Sequence, residues 1–182
     1  DKEDETMYVC IVMEYYETGD LETVLKQQRS KETPLPEAIL KKWFGQMVEG
    51  LYFVHKQRVI HRDLKPSNVL MTSRGQPKLS DFGFVKTQGT VDTHLTQAGR
   101  LVGTVAFMAP EQIMGEPVDS RVDLYSLGVL LFELLEGELP FEPPQAERTP
   151  LSMLALISER REQLPKALER HSAAVQDLVP KL

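Results

Sequence analysis

The stretch from Arg121 to Glu136 constrains the fold of this chain more than any other. Leu124, Leu127, Val129, Leu130, Leu131, Phe132, Leu134 and Leu135 cover most of the circumference of a helix. A helix apolar nearly all round has no face to give to water, so it belongs at the centre of a domain with other elements packed around it. Ser120 stands where an N-cap belongs and Gly137 where a helix ends, which predicts a helix over 121–136. The apolar run inside it is interrupted by Glu133 and is too short to span a bilayer.

The rest of the chain offers elements suited to wrapping that helix. Glu37 to about His55 carries Leu40, Trp43, Phe44, Met47, Val48 and Leu51 at helical spacing, which predicts an amphipathic helix with this stripe in the core. Pro36 sits at its first turn. Asp20 is placed to cap a short helix through about Arg29. Leu151 to Gln163 reads as another helix, and Ala173 to Leu182 begins a last one. Tyr8 to Met13 is β-branched and apolar and reads as a buried strand, with Cys10 a small buried hydrophobe inside it. Thr72 to Gln76, with Gly75, reads as a hairpin turn leading to a short strand over Pro77 to Ser80.

Composition sets outer limits. A chain of 182 residues, 41% hydrophobic and 26% charged, is one globular domain or a large part of one. A net charge of −6 argues against a nucleic-acid or anionic-membrane partner. With one cysteine there is no intrachain disulfide, and an intracellular, cytoplasmic location is the expectation.

The chemistry concentrates in His61-Arg62-Asp63-Leu64-Lys65-Pro66-Ser67-Asn68, between the apolar pair Val59-Ile60 and the apolar Val69-Leu70-Met71. This pattern reads as a polar loop held between buried strands, a usual mounting for catalytic groups. Asp63 is suited to accepting a proton, Lys65 to neutralising an anion, and the carbonyl oxygen of Asn68 to ligating Mg²⁺. Together they fit phosphoryl transfer, in which positioning and charge neutralisation do most of the catalysis. Any one of them alone is equally well a turn residue or a solvated charge. Phe84 to Leu101 is a long polar segment with little periodicity, of the kind that is functional or mobile in compact domains.

The ordered combination narrows this. The loop from His61 to Asn68, then Asp81-Phe82-Gly83, then Ala109-Pro110-Glu111, resembles the eukaryotic protein-kinase motif series. Asp123-Leu124-Tyr125-Ser126-Leu127-Gly128 adds a further block, with Tyr125 where the family has tryptophan. The resemblance implies an α+β, protein-kinase-like fold: a mainly α-helical large lobe with short β-hairpins and a remnant strand of the small lobe. Residues 1–13 would be that remnant, 14–19 the hinge, and 20–182 the large lobe, truncated before its final helix.

The resemblance also implies roles. Asp63 is the expected catalytic base and Lys65 the expected contact to the transferred phosphate. Asn68 and Asp81 are the expected Mg²⁺ ligands, and Met13, Glu14, Tyr16, Asp20 and Leu70 are expected along the ATP site. His61 and Phe82 resemble members of an apolar spine, and Asp123 the anchor of the catalytic-loop backbone. Arg62, Gly83, Thr104 and Glu111 would belong to the activation segment and its support. Arg62 resembles the arginine of kinases switched on by an upstream kinase, with Thr87, Thr90, Thr93 and Thr96 as candidate phosphosites. Lys65 and Thr104 are similar to the serine/threonine class, which implies a protein substrate. Asp20 and Glu133 match positions at which some members read arginine ahead of the acceptor.

The departures from the family pattern bear on activity. No glycine-rich loop precedes Tyr8, and no Val-Ala-x-Lys strand or partner glutamate is present. The chain also stops before the region that would supply an arginine to Glu111. By this reading the parent protein is a kinase, while residues 1–182 alone would bind ATP poorly and be inactive. The alternative is a kinase-like regulatory or scaffolding domain without phosphotransfer, which the intact Asp63, Lys65, Asn68 and Asp81 discourage. A small-molecule phosphotransferase on a related fold is discouraged by Gly103 to Glu111, the segment on which protein substrates dock in the resembling family.

Overall fold

The structure is a computed structural model that describes residues 10, 12–31, 35–82, 105–141, 149–160, 169, 171 and 172. Helix α1 spans Leu21–Lys31. Helix α2 spans Glu37–Lys56. The polar loop follows, with a 3₁₀ turn at Pro66–Asn68. Strands β1 (Val69–Met71) and β2 (Pro77–Leu79) form an antiparallel hairpin in which Val69 faces Leu79 and Met71 faces Pro77. Helices α3 (Pro110–Met114), α4 (Arg121–Glu136) and α5 (Pro150–Arg160) complete the described elements.

Helix α4 is the hub. Twelve of its residues are buried, and Leu127 and Leu130 are completely so. It packs against α2 and against the 3₁₀ turn Val105–Phe107. Burying an apolar side chain of this size contributes roughly 1.5–3 kcal/mol, so a helix with nearly every face buried organises the whole domain. It ends at Gly137, whose φ of 78° is the left-handed conformation that glycine adopts without strain. Ser120 does not cap it by side chain: its backbone is already helical, and Asp119 Oδ1 accepts the Arg121 amide instead, at 2.9 Å. Leu124 is partly exposed, at the edge of the buried circumference.

Helix α2 buries Leu40, Trp43, Met47 and Leu51. Val48 falls outside the buried stripe and is exposed, because the stripe follows 3.6 residues per turn and Val48 lies beside it. Trp43 Nε1 donates to Gly75 O at 2.8 Å, which fastens α2 to the hairpin turn. Gly50 sits where a Cβ would come within 3.2 Å of Leu79 Cδ1, so a glycine lets α2 approach β2. Asp20 caps α1, its Oδ1 accepting the Thr23 amide at 2.8 Å.

Other expectations fail or fall outside the described residues. Cys10, Val12 and Met13 are exposed and form no strand, since no described residue pairs with them and an extended segment without a neighbour buries little. Val59 and Ile60 likewise form no strand; only β1 flanks the polar loop. Tyr8, Val9, Ile11, Gly83, the candidate phosphosites Thr87, Thr90, Thr93 and Thr96, Thr104, and residues 161–163 and 173–182 lie outside the described residues.

Candidate active site

The polar loop leaves α2 through a turn and ends in β1, and its course depends on the completely buried Asp123, in the first turn of α4. Asp123 Oδ2 accepts the His61 amide at 2.8 Å, and Oδ1 accepts the Arg62 amide at 2.8 Å. His55 Nε2, from α2, lies 2.7 Å from Oδ2. A carboxylate buried this completely needs donors on both oxygens, and these three groups supply them, two on Oδ2 and one on Oδ1. Arg62 has φ 66°, a left-handed conformation that a non-glycine residue keeps only when its surroundings fix it. The clamp on its amide is part of that fixing.

Beyond Arg62 the loop presents Asp63, half-buried. Its Oδ2 accepts Lys65 Nζ at 2.8 Å and Asn68 Nδ2 at 2.9 Å. Asn68 Nδ2 also reaches Asp63 O, at 2.7 Å. One carboxylate oxygen is thus held by a cation and an amide, which fixes the rotamer of Asp63. The other oxygen, Oδ1, has no hydrogen-bond partner among the described residues.

The hairpin carries the second acid to this group. Ser80 N donates to Asn68 O at 2.9 Å, which sets Asp81 next to Asn68. Asp81 is exposed, with φ 51°. Aspartate tolerates that left-handed conformation better than most side chains. Phe82 follows, its ring centroid 4.9 Å from that of His61. His61 is completely buried, and its Nε2 lies 2.9 Å from Ser80 O, so one ring joins the loop to the hairpin.

The residues expected along the nucleotide site are partly gathered. An isolated bridge pairs Asp20 with Leu70, and Met71 N donates to Gly19 O at 2.9 Å. The Thr18 hydroxyl also reaches Met71 O, so the end of the 14–19 connector is sewn to β1. Tyr16 donates its hydroxyl to Glu14 Oε2 at 2.6 Å, and that neighbouring carboxylate raises the phenol above its ordinary pKa. Met13 and Glu14 are exposed and are not brought against Leu70 by any described contact. Glu111 lies half-buried at the first turn of α3.

Other contacts hold the site and its surroundings together. His55 is the third partner of Asp123, and Gln112 of α3 donates its Nε2 to Arg62 O at 2.9 Å. Ser126 Oγ donates to Phe107 O at 2.7 Å, tying the turn before α3 to α4. Glu133 is buried, and its Oε1 accepts Arg29 Nη2 at 2.6 Å. His55 and Gln112 lie outside the motif blocks, and their only signal in the sequence is residue type, because their bonds span 68 and 50 residues.

Comparison with known proteins agrees with this geometry. The sequence profile of the protein kinase domain matches residues 2–182. The chain is 37% identical over 161 residues to mitogen-activated protein kinase kinase 2 of Arabidopsis thaliana, which covers 88% of this chain and 42% of that protein. It is 45% identical over 133 residues to mitogen-activated protein kinase kinase kinase 13-B of Xenopus laevis, covering 73% of this chain and 13% of that protein. A probable serine/threonine-protein kinase of Streptomyces coelicolor is 41% identical over 131 residues, 72% of this chain and 19% of that protein. The chain belongs to the protein kinase family. It spans less than half the length of these relatives. No described helix is long and apolar enough to cross a membrane.

Proposed function

We propose that the protein carrying this chain transfers the γ-phosphoryl group of ATP to serine or threonine hydroxyls of protein substrates, in the cytoplasm. The observation that carries the reading is the convergence on Asp63 Oδ2 of Lys65 Nζ and Asn68 Nδ2, with Asp81 delivered alongside by the hairpin. Membership of the kinase family supports the same reading. Residues 1–182 supply the acceptor side of the reaction, and transfer is assigned to the protein that carries them rather than to this segment alone.

The donor set fits Mg²⁺. Asn68 commits its nitrogen to Asp63, which leaves its carbonyl oxygen as a hard donor, and Asp81 adds a carboxylate. No group of three or more His, Cys, Asp or Glu side chains that could hold a metal occurs among the described residues. Mg²⁺ needs no such cage, since it is commonly bound by one or two protein oxygens together with substrate phosphates and water. Bound there with ATP, the ion would neutralise charge on the phosphate oxygens.

Within this reading, Asp63 orients the substrate hydroxyl and takes its proton as the bond to phosphorus forms. Lys65, held against Asp63, offers positive charge to the group in transfer. Tyr16, Asp20 and Leu70 are assigned to the adenosine side, together with the exposed Met13 and Glu14, which would close on it only with nucleotide bound. Arg62 is poised to pair with a phosphate that an upstream kinase adds at Thr87, Thr90, Thr93 or Thr96. A preference for basic substrates has little support, because Asp20 Oδ1 caps α1 and Glu133 Oε1 is held by Arg29.

The test is transfer of labelled phosphate from Mg²⁺-ATP to a protein substrate by the full-length protein, followed by analysis of the labelled amino acid. Phosphoserine or phosphothreonine with the wild type and none with Asp63→Asn is the expected outcome. Label on tyrosine alone, or equal transfer by both proteins, would overturn the reading.

A further inference from the structure

We propose that Gln112 is a positioning residue that ties the segment on which a protein substrate rests to the peptide group just before Asp63. The inference rests on the kinase reading for the role of Asp63 and of the Ala109–Glu111 segment; the contact itself is independent of it.

The side-chain amide of Gln112 is used at both ends. Its Oε1 accepts the backbone amide of Ala109 at 3.0 Å. Its Nε2 donates to the carbonyl of Arg62 at 2.9 Å, across 50 positions of sequence. The first bond is ordinary helix capping: Ala109 is the N-cap of α3, and a side chain at the third helical position commonly reaches back to it. Capping alone asks only for an acceptor, and glutamate serves as well as glutamine. The second bond requires a donor, which glutamate at neutral pH lacks.

The carbonyl it reaches is not an arbitrary one. Arg62 sits at φ 66°, and its amide is held by Asp123 of α4 at 2.8 Å. Its carbonyl belongs to the peptide group that joins it to Asp63. The backbone of Arg62 is therefore gripped from two elements, α4 on the amide side and α3 on the carbonyl side. A left-handed arginine persists only where the surroundings over-determine it. With the carbonyl released, that peptide plane keeps only the long bond from Asp63 N to His61 Nδ1, at 3.4 Å, so its tilt and the aim of the Asp63 carboxylate are set less firmly. Conversely, a substrate that shifts Ala109–Glu111 acts on the aim of the base through one side chain.

The experiment compares two variants of the full-length protein. Gln112→Glu keeps the acceptor for Ala109 and removes the donor to Arg62. Gln112→Met keeps the length and removes both. The coupling predicts that both variants lower kcat by about five- to tenfold, the effect of one lost neutral hydrogen bond. KM for ATP stays within about twofold, since the nucleotide side is untouched. Melting falls further in Gln112→Met, which also loses the cap on Ala109. Amide hydrogen exchange over residues 59–66 speeds up in both. Unchanged exchange there in Gln112→Glu overturns the coupling, as does a loss of kcat confined to Gln112→Met, which would make Gln112 a helix cap only. If the wild type transfers no phosphate, the kinase reading fails, and the exchange measurement still decides the coupling.

Discussion

Asp123 Oδ1 accepts the backbone amide of Arg62 at 2.8 Å across 61 positions of sequence. The carboxylate belongs to the buried central helix and the amide to the loop that presents Asp63. The most rigid element of the domain therefore fixes the residue beside the proposed base. Every partner of this carboxylate is a donor: two backbone amides and the His55 ring.

Asp123→Asn tests how much the loop depends on that carboxylate. The variant preserves shape but puts an NH₂ where an amide hydrogen needs an acceptor, inside a site with no exposure. An unsatisfied buried donor plus the lost charge-assisted bond costs about 3 kcal/mol. A urea midpoint measured against wild type reads it. A loss below about 1 kcal/mol would mean that the loop amides find another acceptor.

Asp63→Asn is expected to separate chemistry from folding. Asp63 is half-exposed, and its ion pair with Lys65 is also partly solvated, so its replacement costs little stability. Removing a general base costs turnover by about 10²–10⁴-fold. Melting temperature and phosphate transfer, measured on the same preparation, check both halves. Turnover within tenfold of wild type would remove Asp63 from the role of base.

Asp81→Asn addresses the metal. Asparagine adopts the φ of 51° as readily as aspartate, so the hairpin keeps its course. What is lost is a negative oxygen donor for a hard cation. Nucleotide affinity should then respond weakly to Mg²⁺, while affinity in EDTA matches wild type. Titration of ATP in both buffers is the measurement, and an unaltered Mg²⁺ response speaks against the ligand role.

The sequence made some of these relationships legible and hid others, for physical reasons. Helix α4 was readable because its apolar circumference allows only a central position. The hairpin was readable because Gly75 and the short flanking runs are local signals. The acid, lysine and amide of the loop were readable because the spacing from His61 to Asn68 is fixed within eight residues. His55 and Gln112 were not, since side-chain bonds to partners 68 and 50 residues away leave no periodic trace. The exposure of Cys10 and Val12 was hidden too, because burial of a strand depends on neighbours that its own residues do not specify. Ser120 has the right chemistry for a cap but is already in the helix, so the cap is displaced to Asp119.

Arg29 and Glu133 provide a test of how the first helix is held to the central one. Arg29 Nη2 reaches Glu133 Oε1 at 2.6 Å, and Arg29 Nε donates to Gly137 O at 2.7 Å. Arg29 therefore meets one oxygen of a buried carboxylate and a carbonyl at the C-terminal end of α4, where a positive charge is favoured by the helix dipole. The arginine side chain is 47% exposed, so solvent screening reduces what the pair contributes. Arg29→Ala loses both bonds and leaves the carboxylate buried without this cation, at a cost of about 2 kcal/mol. Glu133→Gln keeps an acceptor for the guanidinium and the bond to Gly137, so it costs about 1 kcal/mol or less. Urea unfolding of the two single variants and the double variant gives the coupling between them. Non-additivity of up to about 1 kcal/mol is expected, because both substitutions remove the charge–charge part of the same contact. If Glu133→Gln proves the more damaging of the two, the carboxylate is held chiefly by groups other than Arg29.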